Sequence, residues 1–402
     1  MKILLIHNSY YYQGGEDEVV ESEKRMLKER GHIVIEYRRS NKEIEAYSFF
    51  RKIRFFWKEA VWSKEVYEEI KAIIRRENPD VAHIHNTFLM VTPSVYDACY
   101  DERLPVVQTL HNFRFLCPNA IFYRQGQICE KCVLSGKCFG VIYKCWKGSA
   151  VKTFFLVRIL EHMRCRKILE NKVARFICLN RFAEKKFVEY GLPREKISIK
   201  PNFLDKAPEP TPASGGYAIY VGALREYKGV NTLVNAWGKV GKGARLKIVG
   251  DGPLKEELVK SSAEGVEFLG QKTLAETIDL IKKAAFLVLP SICYETFPRV
   301  IVEAYACGVP VITSRLGGLP ELVEEGKTGF LFRPGDADAL AEKIRVFFDN
   351  PEVARRMGET ARKVYDEKYI AEENYRILMD VYQQAIEAKN KELDGVKGRA
   401  GC

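Results

Sequence analysis

Residues 286–332 read FLVLPSICYETFPRVIVEAYACGVPVITSRLGGLPELVEEGKTGFLF, and this stretch leaves the chain little freedom of fold. Residues 286–289 form a short apolar run ended by Pro290, which reads as a buried strand. A loop follows over 291–297. Pro298 then opens a helical pattern that Gly308 closes. A second buried strand is expected over 309–313, then Gly317, Gly318 and a further helix start at Pro320. Strand, helix and strand make a βαβ unit, so the expected class is α/β with a parallel sheet. Such sheets bind ligands beyond the carboxyl ends of their strands.

Two carboxylates fall in that region, Glu295 in the loop and Glu303 inside the helix. Between them Thr296, Phe297, Pro298, Arg299 and Val300 open the helix without a capping side chain, and unpaired N–H groups there suit a phosphate. Carboxylates accept hydrogen bonds from sugar and ribose hydroxyls, so the arrangement suits a nucleotide sugar. The alternative is that Glu303 pairs with Arg299 at i, i+4 on a solvated face.

A chain of 402 residues is too long for one ordinary core, and two domains are expected. The stretch DKAPEPTPASGG, 205–216, breaks every period and reads as the linker. Apolar runs stay short of the roughly 18 residues that span a bilayer, and MKILLIHNSY reads as a first strand rather than a signal peptide. Eleven cysteines without a secretion signal are expected to stay reduced, which points to a cytoplasmic protein or one peripheral on the inner face of the plasma membrane. The net charge of +11 is uneven: residues 144–175 hold nine Lys and Arg against two Glu. A nucleic-acid partner is not expected, since no recognition motif accompanies this charge. FFRKIRFFWK, 49–58, interleaves aromatics with Lys and Arg, which suits an anionic membrane surface or, alternatively, a helix burying its rings in the domain.

In the first half, Gly14 and Gly15 sit at a strand-to-helix turn followed by Glu16 and Asp17; acids there disfavour a diphosphate. His83 and His85 alternate onto one face of a strand, either as metal ligands or as satisfied core histidines. His111 ends the strand LPVVQTLH, where active-site residues of parallel sheets lie. Cys117, Cys129, Cys132 and Cys145 have zinc-ligand spacing, with Cys138 to spare, so a structural zinc is expected to staple a loop that lacks periodicity; free thiols or a conditional disulfide are the alternatives. Residues 149–172 read as one basic helix and the last residues, GVKGRAGC, as a frayed tail. In the second half, Arg225 and Lys228 lie in a strand-to-helix loop before Gly229, a place for a diphosphate.

The stretch SICYETFPRVIVEAYACGVPVITSRLGGLPELVEEGKTGFLFRPGD resembles the Glu-x7-Glu signature of the family 4 (group 1) retaining glycosyltransferases, and weaker matches extend nearly the full length. The resemblance implies a GT-B fold: two Rossmann-like, doubly wound parallel-sheet domains facing across a cleft that holds the active site. By it, residues 1–203 are the acceptor-side domain, with the cysteine loop 117–145. Residues 204–370 bind the nucleotide sugar, and 371–402 form a helix crossing back to the first domain, with a tail. It implies transfer of a sugar, retaining and without a catalytic cofactor or metal, from a nucleotide-diphosphate donor, a UDP- or GDP-sugar, to a glycan or lipid-linked acceptor in cell-surface polysaccharide synthesis. A non-catalytic sugar-nucleotide binder or a nucleotide-sugar isomerase is the alternative. Gly15 would close over the donor, and His111 would touch its sugar. Lys228 and Arg225 would hold the diphosphate, although Ala223 stands where the family has an arginine. Gln271 and Lys272 would meet the base, Glu303 the ribose and Glu295 the sugar. His111, Glu295 and Lys228 are the expected catalytic set.

Overall fold

The computed structural model describes residues 1–11, 14–209 and 216–400, and of 392–400 the backbone alone. The chain divides into two compact units. The first holds Met1–Ala120, Glu130–Lys200 and Asn374–Cys402; the second holds Ile121–Cys129 and Pro201–Glu373. In chain order the first half contributes β1 (Lys2–Ser9), β2 (Ile33–Ser40), β3 (Val81–Asn86), β4 (Val106–Leu110), the two-residue strands β5 (Tyr123–Arg124) and β6 (Gln127–Ile128), β7 (Arg175–Cys178) and β8 (Ile197–Ile199). The second half adds β9 (Ala218–Val221), β10 (Leu246–Val249), β11 (Val266–Gly270), β12 (Phe286–Leu289), β13 (Val311–Ser314) and β14 (Gly329–Phe332).

Each unit is built on a six-stranded parallel sheet, ordered β2-β1-β3-β4-β7-β8 in the first and β11-β10-β9-β12-β13-β14 in the second. β3, β4, β12 and β13 are buried at every position, as strands covered on both faces must be. In the second unit Tyr220, Phe286 and Ile312 from the sheet pack with Trp237 and Phe347 from flanking helices. The order reverses between β1 and β3 in one sheet and between β9 and β12 in the other. Loops leaving adjacent strands to opposite sides part there, and that opening is where α/β sheets take ligands.

Several expectations meet a different geometry. The basic stretch is two helices, Ala150–Cys165 and Ile168–Lys172, because Lys167 turns to φ 49° between them. The cysteine-rich loop is not without regular structure: β5 and β6 pair as a hairpin, and Lys131–Leu134 and Cys138–Ile142 are short helices. The hairpin segment clusters with the second unit although it lies in the first half of the chain. The closing helix is continuous in backbone over Ala371–Ala400, where a frayed tail was expected from Gly395; Gly401 and Cys402 lie outside the described residues, as do linker positions 210–215.

One glycine controls how closely the two loops at the second reversal approach. Gly229 has φ 70°, and a Cβ there would fall 1.8 Å from the Pro290 carbonyl oxygen. Nearby, the Ile292 N–H donates to the Tyr227 carbonyl at 3.0 Å. G229A meets both a left-handed backbone and a backbone clash, and should cost at least about 2–3 kcal/mol. Urea unfolding followed by the fluorescence of Trp237 checks this; an unmoved midpoint would mean that the loops are not so constrained.

Candidate functional site

The loop after β9 carries Lys228 and the loop after β12 carries Glu295, so both side chains arrive at the second unit's strand reversal. Lys228 Nζ lies 2.6 Å from Glu295 Oε1, and the Ser291 hydroxyl donates to the same oxygen at 2.7 Å. Burial by itself would lower the ammonium's affinity for its proton; the Glu295 carboxylate overrides this and holds Lys228 well above the ordinary lysine range. Lys228 therefore keeps its proton, an ammonium held in place by the Glu295 carboxylate.

The helix after Glu295, Arg299–Ala306, has Pro298 as its first flanking residue and no side-chain cap, so its amino end offers N–H groups to an anion. Phe297 is buried, and its carbonyl accepts from Asn202 Nδ2 at 3.2 Å, which pins the loop. Thr296 and Val300 flank it at the same turn. Glu303 pairs with Arg299 at 3.7 Å, the i, i+4 pairing weighed from the sequence. Both side chains are only 9% exposed, so the pair sits inside rather than on a solvated face. Arg225 is exposed on its loop near Ala223, and Gln271 and Lys272 are exposed after β11, with Lys272 3.8 Å from Glu276.

Sequence reasoning missed the hairpin segment here. Phe122 meets the ring of Tyr294 at 5.9 Å, and Tyr123 meets Tyr227 at 6.3 Å, so two aromatics from residues 121–129 stand against the loops bearing Glu295 and Lys228. No local pattern points to this, since the partners lie over a hundred residues away.

In the first unit Gly15 opens the helix Gly15–Glu29, and Asp17 in its first turn accepts from the Gly14 N–H at 3.1 Å and bonds His7 Nε2 at 3.0 Å. Burial would raise the Asp17 carboxyl, but the His7 and Gly14 bonds bring it down to about 2. The amino end of this helix thus already has its own carboxylate. Glu16 differs: Asn112 Nδ2 approaches Oε2 at 3.4 Å, Oε1 is buried without a hydrogen bond, and burial with the neighbouring Asp17 pushes its carboxyl up to about 8. His111 follows β4 directly and is half-buried, with Nε2 2.8 Å from His85 Nδ1. Behind it lie Glu23 and Lys200, both fully buried and paired at 2.5 Å. Glu23 could have been suspected, since it interrupts the apolar face of Val19, Val20, Met26 and Leu27.

Cys117, Cys132 and Cys145 belong to the first unit and Cys129 to the segment grouped with the second. Cys117 Sγ contacts Asn119 Oδ1 at 3.0 Å. Glu23, His83 and His85 offer three ligand atoms within 4.8 Å of one another.

Residues 203–364 match the family described as glycosyl transferases group 1, and residues 13–207 match glycosyltransferase family 4. A glycogen synthase of Mycobacterium tuberculosis is 34% identical over 302 residues, 72% of this chain and 65% of that protein. The chain spans less than two thirds of that relative's length and about half or less of other curated relatives that it matches. Among solved structures, a sucrose-phosphate synthase from Thermosynechococcus elongatus aligns over 96% of this chain and 99% of its own, with TM-score 0.72 and 21% identity. The Anabaena protein HepE in complex with UDP aligns over 97% and 100%, with TM-score 0.66 and 18% identity. The shared fold is GT-B, two Rossmann-like parallel-sheet domains.

Glu16 supplies a test by pH. Its folded carboxyl, at about 8, binds a proton more tightly than the ordinary value of 4.5, so its contribution to stability is full below pH 4.5 and lost as pH rises through 8. E16Q does not ionise. Its stability relative to wild type should therefore grow from pH 5 to 8 and then level off; parallel curves in urea titrations across that range would refute the assignment.

Proposed function

Because the chain belongs to the group 1 glycosyltransferases of family 4, we propose that it transfers a sugar from a nucleotide-diphosphate donor to an acceptor hydroxyl with retention at the anomeric carbon. The observation that carries this reading is Lys228 held 2.6 Å from Glu295 at the strand reversal, beside an uncapped helix end. Negative charge builds on the diphosphate as it departs. A fixed ammonium and N–H groups already aimed at that charge stabilise it without reorganising. Glu295 shares the ammonium with the arriving phosphate and accepts from sugar hydroxyls, and Glu303 accepts from the ribose. Gly15, Arg225, Gln271 and Lys272 are further donor contacts in this reading. The leaving phosphate oxygen takes the acceptor proton on the same face. UDP bound by the Anabaena protein on the same fold supports a UDP-sugar among the candidate donors.

The acceptor proposed is a glycan or lipid-linked saccharide of cell-surface polysaccharide, met at an anionic membrane surface. Phe49 is 71%, Phe50 81% and Trp57 52% exposed, and Phe154 lies 6.2 Å from Trp57. Arg158 stacks over Trp57 at 4.7 Å, and Arg54 is open to solvent. Exposed rings beside guanidinium groups fit the headgroup boundary of acidic lipid. No helix among the described residues is long and apolar enough to cross a membrane.

K228A should lower turnover about 10²–10³-fold at saturating donor, read by nucleotide release, with product anomeric configuration followed by NMR. Wild-type turnover, or inversion, would refute the mechanism. Flotation with vesicles containing phosphatidylglycerol should recover the protein and F50D/W57D should not float; equal recovery with neutral vesicles would remove the charge argument.

A further inference from the structure

A groove of about 1020 Å³ in the first unit is lined from the helices Ala150–Cys165 and Cys138–Ile142 and from the loop that leaves β4. Leu116, Val133, Val141, Phe154, Val157 and Leu160 give it apolar walls. Small-molecule sites share this size and this kind of lining. Carboxylates at the wall face cations of their own. Glu161 lies 3.3 Å from Lys137 and 2.7 Å from Arg164, and Glu189 lies 3.2 Å from Lys186. A polar ligand would compete with these pairs, whereas a hydrocarbon needs only the apolar wall.

Two features say which hydrocarbon. One part of the wall is Phe154, 41% exposed, whose ring meets the exposed ring of Trp57 at 6.2 Å. Arg158, one turn further along the same helix, lies over Trp57 at 4.7 Å. The stretch 144–175 around them holds nine Lys and Arg against Glu161 and Glu170, so this opening is set in positive charge. Leu134, Ile142 and Val151 are exposed beside it in sequence, and apolar side chains left open around a groove suit a partner that is itself apolar. Another part of the wall is Phe115 and Leu116, which follow His111 on the loop leaving β4. A chain in the groove would join an acidic membrane surface to the loop of His111.

We propose that this groove holds the hydrocarbon chain of a lipid-linked acceptor, which leaves the membrane past Phe154 and Trp57 and presents its saccharide on the side of the loop after β4. The choice of a lipid chain rests on the reading of an acidic membrane surface as the place of the acceptor; the groove as an apolar binding site does not.

The probe is farnesyl phosphate carrying a benzophenone, photolysed with the full chain below its micelle concentration and mapped by mass spectrometry. Crosslinks should fall in residues 115–116 or 133–163. Unlabelled farnesyl phosphate should displace the probe, and inorganic phosphate should not. Each methylene kept out of an apolar site costs about four-fold in affinity. An indole at Val141, or at the exposed Ser135, should displace at least two. V141W and S135W should therefore each weaken probe binding about ten-fold or more, with circular dichroism showing the fold intact. Crosslinks confined to other segments, or full affinity in both folded variants, would overturn the proposal. So would a dimeric wild type that V141W turns into a monomer, which would give the groove to a second copy. Flotation separates this outcome from the membrane reading, since both variants should float with phosphatidylglycerol vesicles as the wild type does. A wild type that floats but gives no crosslinks in the groove removes the proposal and keeps the membrane reading. Crosslinks in the groove of a chain that does not float would remove the membrane reading and leave the apolar site.

Discussion

An ammonium and a carboxylate meeting where a parallel sheet reverses its strand order set the terms for the rest of the second unit. Lys228 and Glu295 come from loops 67 residues apart, joined only because β9 and β12 are neighbours. The pair needs the loops to touch, and touching needs a residue without a side chain at 229. It also needs the loop of Glu295 to hold still. Ser291, buried completely, and the Asn202 bond to Phe297 supply that restraint. Charge, glycine and loop anchor are thus one constraint seen at three scales.

The first unit solves a different problem with the same topology. Its reversal lies between β1 and β3, and the loop after β1 leads into a helix end already occupied by Asp17. A free anion would meet that carboxylate, so this unit suits hydroxyl groups better than phosphate. Polarity here comes from the imidazoles of His83 and His85 beside the buried Glu23–Lys200 pair. The unit offers neutral hydrogen-bonding groups where the other offers an ammonium beside an uncapped helix end.

Much of this was legible in the residues. The apolar run at 286–289 and the Pro298–Gly308 bracket gave strand and helix bounds within two residues, because proline and glycine punctuate by sterics alone. Strand alternation placed His83 and His85 on one face. Long-range partners were not legible. Lys200 sits at the end of a short strand with nothing local to mark it as buried, and its partners Glu23 and Asn374 lie 177 and 174 residues away. The break at Lys167 escaped notice because a lysine carries no signal for a left-handed turn.

The excursion of residues 121–129 has a consequence for the chain as an object to be cut or recombined. The backbone changes unit after residues 120, 129, 200 and 373, so neither unit is one uninterrupted length of polypeptide. A fragment ending at the linker keeps the hairpin that belongs elsewhere and lacks the closing helix, with Tyr382 and Asn374 missing from the histidine cluster. Exchanging halves between relatives would carry the Phe122 and Tyr123 rings with the wrong partner. The natural module for transplantation is therefore interleaved, and a working chimera would have to splice at four seams rather than one.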